Sequence, residues 1–161
     1  MKLYIIRHAP AQLRHEFAQS GKSDDLRPLT DKGIQKMEAA LEFFKNQEPH
    51  VDVFLQSPFT RCVQTGDICK DFFPEAKFKT SKNLVPDHSA QKLYDEILSH
   101  DVDALAIIGH EPDLGQFISW LLFRQATDHF PIKKTGIAKV DIYHDGRSYL
   151  KWVLRPKLMI T

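Results

Sequence analysis

The sequence predicts an α/β fold: a three-layer α/β/α sandwich around a mainly parallel central sheet, with a C-terminal antiparallel hairpin at one edge. Three observations carry this. Short apolar, strand-like runs alternate with segments whose apolar residues recur at spacings of three and four, the pattern of parallel strands covered by helices on both faces. Residues 136–143 and 148–154 flank Asp145 and Gly146, as the arms of a hairpin flank its turn. No internal repeat, low-complexity tract or linker interrupts the chain, so residues 1–161 are expected to form one domain.

In chain order, residues 3–6 form the first strand and deliver Arg7 and His8. The polar stretch 10–28 reads as a long loop with room for a short helix, and loops of that length are usually functional. Thr30 suits a helix N-cap and Asp31 the positive end of the dipole. Behind them Ile34, Met37, Leu41 and Phe44 make one buried stripe. Residues 51–55 are strand-like, and Ser57 and Pro58 lead into a helical stretch to Asp71 that presents Cys62, Thr65, Ile68, Cys69 and Phe72. A short strand follows at 76–80, then a helix over 89–99 with Leu93 and Ile97. Next come a strand over 104–108 and a helix opened by Pro112 and Asp113 that carries Leu114, Phe117, Ile118, Leu121 and Leu122.

The 161 residues have a net charge of +1, with 22 basic against 21 acidic side chains. Nothing global therefore recruits nucleic acid or an anionic membrane, and any anion chemistry has to come from local clustering. The first apolar run is far short of a signal-peptide core, and no stretch approaches the ~20 apolar residues that span a bilayer. A soluble cytoplasmic protein is expected, monomeric, with no nucleic-acid or membrane partner. Cys62 and Cys69 lie seven residues apart, two turns along one helix face, and read as buried free thiols.

The polar residues fall where such a fold places ligands, just beyond the carboxyl ends of parallel strands. Arg7 and His8 follow the first strand, Ser57 to Arg61 the second, and Gly109 and His110 the strand over 104–108. If these ends are neighbours, two arginines and two histidines converge. The guanidinium fork suits a phosphoryl group and never loses its charge, and histidine serves as nucleophile, acid or base near neutral pH. Taken singly, an Arg-His or Gly-His dipeptide is more often a surface accident; their joint order at three strand ends makes a site. No Walker-type phosphate loop is present. His110 and Glu111 run on into Pro112, Asp113 and Leu114, so the HExxH zinc pattern fails. Neither metal nor cofactor is expected.

At these residues the chain resembles the histidine phosphatase superfamily, and more closely its SixA-type phosphohistidine phosphatases. The matching segments are Arg7-His8-Ala9, Ser57-Pro58-Phe59-Thr60-Arg61-Cys62-Val63-Gln64-Thr65 and Gly109-His110-Glu111-Pro112. Asp24-Asp25-Leu26-Arg27-Pro28-Leu29-Thr30 with Gly33, Lys134-Thr135-Gly136 and Trp152-Val153-Leu154-Arg155-Pro156-Lys157 complete the likeness. It spans the chain and implies a phosphoglycerate mutase-like fold. Ala9 stands where the superfamily has glycine, which adds a methyl group beside the nucleophile and disfavours positive φ; the SixA-type branch admits alanine there.

The resemblance implies a two-step phosphoryl transfer without metal or cofactor. His8 would attack phosphorus to give a phosphohistidine intermediate, which water hydrolyses; Arg7, Arg27, Arg61 and His110 would bind the phosphoryl oxygens. Two nearby arginines are expected to depress the pKa of both histidines, and a bound dianion to reverse this for His110. Expelling an alkoxide from a phosphate ester demands a placed general acid, whereas imidazole, with a pKa of about 6.5, leaves readily once protonated. The candidate acids are Asp87 and Glu111, each with a simpler role at a helix start. The scarcity of carboxylates fits a phosphohistidine substrate. The implied partner is then a phosphorylated histidine protein, either a histidine phosphotransfer domain or a phosphotransferase-system carrier. Two alternatives stand beside this reading: a phosphatase for small phosphate esters, and a binding module for phosphorylated partners without turnover. The remaining histidines, at 15, 50, 88, 100, 129 and 144, are expected to be solvated, with His15 and His88 as candidates for the groove rim.

Overall fold

The computed structural model describes residues 1–160. Its strands are β1 (Lys2–Arg7), β2 (Val53–Gln56), β3 (Lys77–Thr80), β4 (Ala104–Gly109), β5 (Ile137–Ile142) and β6 (Ser148–Leu154). Its helices are α1 (Arg14–Ala18), α2 (Asp31–Gln47), α3 (Thr60–Phe72), α4 (Ala90–Ser99), α5 (Asp113–Phe123) and α6 (Pro156–Met159), with 3₁₀ turns at Asp24–Leu26 and Lys82–Leu84.

One six-stranded sheet runs in the order β3-β2-β4-β1-β5-β6. The first four of these are parallel, and β5 and β6 are antiparallel to their neighbours, the hairpin at one edge that the sequence predicts. Side chains alternate between faces along a strand, and here both faces are covered. Tyr4 and Ile6 of β1 and Ala106 and Ile108 of β4 point into one core with Met37, Leu41 and Phe44 of α2 and Cys62 and Cys69 of α3. Leu3, Ile5, Leu105 and Ile107 point into the other, against Leu93 and Ile97 of α4 and Phe117 and Ile118 of α5. Burial on both sides explains why β1 and β4 read as continuous apolar runs. Each fully buried Leu, Ile or Phe contributes about 1.5–3 kcal/mol.

The elements differ from expectation at their margins. β2 starts at Val53, and just before it Asp52 pins the strand entrance: its carboxylate receives the Ala104 N–H at 2.9 Å while its own N–H donates to the Ala104 carbonyl at 2.9 Å. The tail adds α6, with Pro156 at its first turn and Met159 and Ile160 packed on the α2 side of the sheet. Thr30 caps α2 as expected, its hydroxyl accepting the Gly33 N–H at 3.0 Å. Both cysteines are buried free thiols.

Candidate active site

Strand order makes the site. β2, β4 and β1 are adjacent, with Arg7 paired to Gly109 and Gln56 to Ile108, so the three carboxyl ends open side by side. Just beyond them lies a cavity of about 250 Å³ whose wall includes Arg7, His8, Arg27, Arg61, His110 and Glu111. Every predicted phosphate-binding residue is therefore at one place, joined by Arg14 and Lys134.

His8 is 4% exposed, and its Nδ1 lies 2.7 Å from the Ala9 carbonyl oxygen. A ring nitrogen that close to a carbonyl carries the proton and donates it, which leaves the Nε2 lone pair without a protein partner among the described residues. Burial pushes the His8 pKa down to about 3; the Ala9 carbonyl opposes this, and His110, Arg61 and Arg7 add to it. His110 is likewise pushed down to about 3, by burial first and then by Arg61, with Asp24 opposing. The direction is the one anticipated, but the leading cause is desolvation and the arginines come second.

The supporting contacts explain the spacing of the Ser57 to Thr65 segment. Ser57 is fully buried, with its Oγ 2.8 Å from His110 Nε2, and the Cys62 Sγ lies 3.5 Å from the same nitrogen. The Phe59 ring stands edge-on to the imidazole, 4.9 Å between centroids. One turn along α3 from Arg61, Gln64 accepts the Leu29 N–H at 2.8 Å, and Thr65 accepts the Ala9 N–H at 3.1 Å while donating to the Arg61 carbonyl at 2.7 Å. α3 thus carries one guanidinium and ties down the loops that carry His8 and Arg27. The Ala9 methyl is accommodated because its backbone avoids the left-handed region, which among non-glycine residues is adopted by Asp87, Arg124 and Thr135.

The arginines are fixed by oxygen acceptors. Arg7 Nη1 donates to the Ile132 carbonyl at 2.8 Å, Arg61 Nη1 to the Asp24 carbonyl at 2.9 Å, and Arg27 Nη1 to the Gln12 carbonyl at 2.7 Å. The Asp24 carboxylate accepts from Arg27 Nε at 2.9 Å and stands 3.3 Å from Arg61 Nη2 and 3.6 Å from Arg14 Nε. Partial burial raises the Asp24 pKa, but the Arg27 hydrogen bond and the Arg61 and Arg14 charges outweigh this and hold it below the usual carboxylate range. Sequence reasoning quoted Asp24 without giving it this part; its place three residues before Arg27 was the available signal. The Nε atoms of Arg7 and Arg61 are buried donors with no partner among the described residues.

The candidate acids separate. Asp87 is exposed, in the left-handed region at φ 62°, outside the cavity wall, and its backbone N–H donates to Asp113 Oδ1. Glu111 is in the wall, with Oε1 accepting the Ile132 N–H at 3.0 Å. Burial raises its pKa, opposed by the Ile132 N–H and Arg7. His15 is exposed on α1. His88, expected to be solvated, has a side chain only 4% exposed, with Nδ1 3.2 Å from the Val85 carbonyl and its ring against Phe117. No group of three or more His, Cys, Asp or Glu among the described residues is placed to hold a metal ion, and no helix is long and apolar enough to cross a membrane.

A sheet of this order, with parallel strands opening onto an arginine-lined cavity and an antiparallel edge, is the phosphoglycerate mutase-like fold. Residues 3–85 match the histidine phosphatase superfamily (branch 1), and the chain belongs to it. The protein is accordingly a phosphatase. It is 30% identical to an uncharacterised protein of Picosynechococcus sp. (strain PCC 7002), over 96% of this chain and 99% of that one. It is 26% identical to the phosphohistidine phosphatase SixA of Escherichia coli K12, over 97% of this chain and 94% of that one. The solved structure of the protein histidine phosphatase SixA complexed with tungstate superposes with a TM-score of 0.84 at 24% identity, covering 98% of this chain and 99% of that one.

Proposed function

We propose that this protein is a phosphohistidine phosphatase that removes the phosphoryl group from a phosphohistidine-bearing protein through a covalent phospho-His8 intermediate. The observation that carries the reading is the His8 imidazole, neutral and held by Nδ1 on the Ala9 carbonyl, with Nε2 left free in a wall of cations. Nε2 attacks phosphorus as the P–N bond to the substrate imidazole breaks; that imidazole, already protonated by solvent on its other ring nitrogen, departs neutral with the electron pair of the broken bond on the released nitrogen. Arg7, Arg27 and Arg61 hold the equatorial oxygens, where charge is spread in the transition state. His110, neutral in the free protein, takes a proton alongside the dianion and donates a further hydrogen bond. Water then attacks phosphorus, the P–Nε2 bond breaks, and inorganic phosphate and neutral His8 result.

The substrate class rests on the carboxylates. Asp24 is engaged by three arginines, Glu111 by the Ile132 N–H, and Asp87 lies outside the wall, so none stands free to protonate a poor leaving group. An imidazole leaving group needs no strong acid. The printed name of the Escherichia coli relative points the same way. A histidine phosphotransfer domain and a phosphotransferase-system carrier both meet this chemistry. A second reading, hydrolysis of small phosphate esters, is favoured by one observation: Glu111 lies in the cavity wall with its pKa raised by burial. A module that only binds has no use for His8 placed opposite His110.

The deciding experiment offers a phosphohistidine protein and a simple aryl phosphate side by side, with chelator present, to wild type and to His8→Ala. Turnover by wild type, faster on the phosphohistidine protein and lost in His8→Ala, is expected. Full activity in His8→Ala, or loss with chelator, overturns the mechanism; faster turnover of the ester overturns the substrate.

A further inference from the structure

Glu111 reaches the site through one residue, Ile132. Its Oε1 accepts the Ile132 N–H at 3.0 Å, and the Ile132 carbonyl accepts Arg7 Nη1 at 2.8 Å, so carboxylate and guanidinium grip the two sides of one buried residue. The loop that carries Ile132 also binds the nucleophile's own backbone: Thr135 N–H donates to the His8 carbonyl at 3.3 Å, and Arg7 N–H to the Gly136 carbonyl at 3.1 Å. Gly115 lets the first turn of α5 close on this latch. A Cβ there would stand 2.7 Å from the Phe130 carbonyl oxygen and 3.1 Å from Glu111 Oε2, against backbone that cannot yield cheaply. Arg7 and Glu111 together also form the partition between the phosphate cavity and a second cleft of about 360 Å³ lined by Pro112, Gly115, Asp128 and Pro131.

A general acid needs a carboxyl group free to give its proton to the leaving group. Here the carboxylate is already an acceptor, and its partner is the N–H of the residue whose carbonyl fixes Arg7. We propose that Glu111 is a positioning residue, acting on the phosphoryl group only through Arg7 and Ile132, whose N–H and carbonyl the two residues grip. This rests on the phosphoryl-binding role of Arg7 proposed above. Removing the acceptor frees Ile132 and lets the guanidinium drift, and misplacement by about 1 Å at such a site can cost up to ~100-fold in rate.

The test is a double-mutant cycle read on two scales, turnover of an aryl phosphate and affinity for inorganic phosphate. Glu111→Ala is expected to lower kcat by roughly 10- to 100-fold and to weaken phosphate binding. In an Arg7→Ala background the same change adds less than about twofold on either scale, because the group it positions is gone. Glu111→Gln keeps an oxygen for the Ile132 N–H, so it is expected to fold and to recover turnover to within roughly threefold of wild type, with no change in pH profile. Losses that multiply in the Arg7→Ala background overturn the proposal. So does a Glu111→Gln defect that equals that of Glu111→Ala and steepens with the pKa of the leaving alcohol. His8→Ala serves as the separate check: if it turns over like wild type, the catalytic reading fails, whereas an inactive His8→Ala with an additive cycle removes only the role of Glu111.

Discussion

The imidazoles of His8 and His110 face each other across the cavity with ring centroids 5.4 Å apart and planes inclined at 57°. On the mechanism proposed above, that separation would let one imidazole react at phosphorus while the other donates to a phosphoryl oxygen. Their supports differ accordingly: His8 hangs on a backbone carbonyl, His110 on the Ser57 hydroxyl. His8→Ala is expected to abolish turnover and leave no acid-labile phosphoenzyme in a rapid-quench experiment. His110→Ala, which removes one donor to the transition state, is expected to lower kcat by about 10²- to 10³-fold and still form phosphoenzyme. Phosphoenzyme in His8→Ala, or its absence in His110→Ala under single-turnover conditions, would reverse the assignment.

Acid is expected to unfold this protein early. Both imidazoles titrate near 6.5 in an unfolded chain and only at about 3 in the folded one. Between those values the unfolded state binds two more protons, so stability is fully present above pH 6.5 and falls as the pH drops towards 3. At pH 5, some 1.5 units below the unfolded value, the loss is about 2 kcal/mol for each histidine. Asp24, whose folded pKa is lowered, starts to lose its own contribution only as pH falls through the ordinary value of 3.8, so it does not affect the comparison of pH 7 with pH 5. Urea unfolding at pH 7 and pH 5 measures the slope, and His110→Asn should halve it. Saturating inorganic phosphate should lessen it too, since a bound dianion favours protonated His110. Equal stability at the two pH values would contradict the burial of both rings.

Asp24 is the carboxylate that pairs with Arg14, Arg27 and Arg61 of the proposed phosphate site. Its carboxylate is 40% exposed yet serves Arg27 and Arg61, which are 7% and 4% exposed. Without it, Arg14, Arg27 and Arg61 repel one another with no ligand to offset the charge. Because the carboxylate is partly solvated, Asp24→Asn should cost only about 1 kcal/mol, a fall in Tm of about 2–4 °C. Inorganic phosphate should then bind more tightly, as the next available anion, and restore the lost Tm. Turnover is expected to drop about tenfold as Arg27 and Arg61 lose their alignment. Weaker phosphate binding in Asp24→Asn would show that orientation of the guanidinium groups outweighs competition by the carboxylate.

The sheet and its three convergent strand ends were legible because β1 and β4 are buried on both faces and so read as unbroken apolar runs. α6 was not, because four residues offer no periodic stripe; what places it is the packing of Met159 against the core. At the site, Arg7, His8, Arg61 and His110 could be read from their positions after strands. The parts played by Ser57 and Thr65 could not, because their partners lie 53 and 56 residues away and only the folded chain brings them near; for Asp24 the spacing to Arg27 was readable, but not its contact with Arg61, 37 residues on. His88 was misread as solvated for the same reason: a polar residue in a loop carries no local sign that Phe117 will cover it. Burial also outweighed the arginines in shifting the imidazoles, a quantity that sequence alone does not supply.

Gly33 packs the start of α2 against the backbone of Pro10, two residues after His8. A Cβ at this residue would stand 2.0 Å from the Pro10 carbonyl oxygen and 2.9 Å from its carbon, both backbone atoms. That carbonyl also accepts the Thr30 N–H at 3.1 Å, and Pro10 follows directly on Ala9, whose N–H is held by Thr65. Alanine ordinarily stabilises a helix over glycine by about 1 kcal/mol, but here the helix or the 9–10 segment has to move, an overpacking penalty of about 1–3 kcal/mol. The net effect of Gly33→Ala is expected to be a lower Tm together with reduced kcat, as His8 shifts with its neighbours. Gly66→Ala provides the contrast. Its new Cβ meets the end of the Gln56 side chain at 1.8 Å, a group that can rotate away. It should therefore lose less Tm and less turnover than Gly33→Ala. A Gly33→Ala protein as stable and active as wild type would show that the Pro10 segment yields freely, and the coupling between the start of α2 and His8 would not stand.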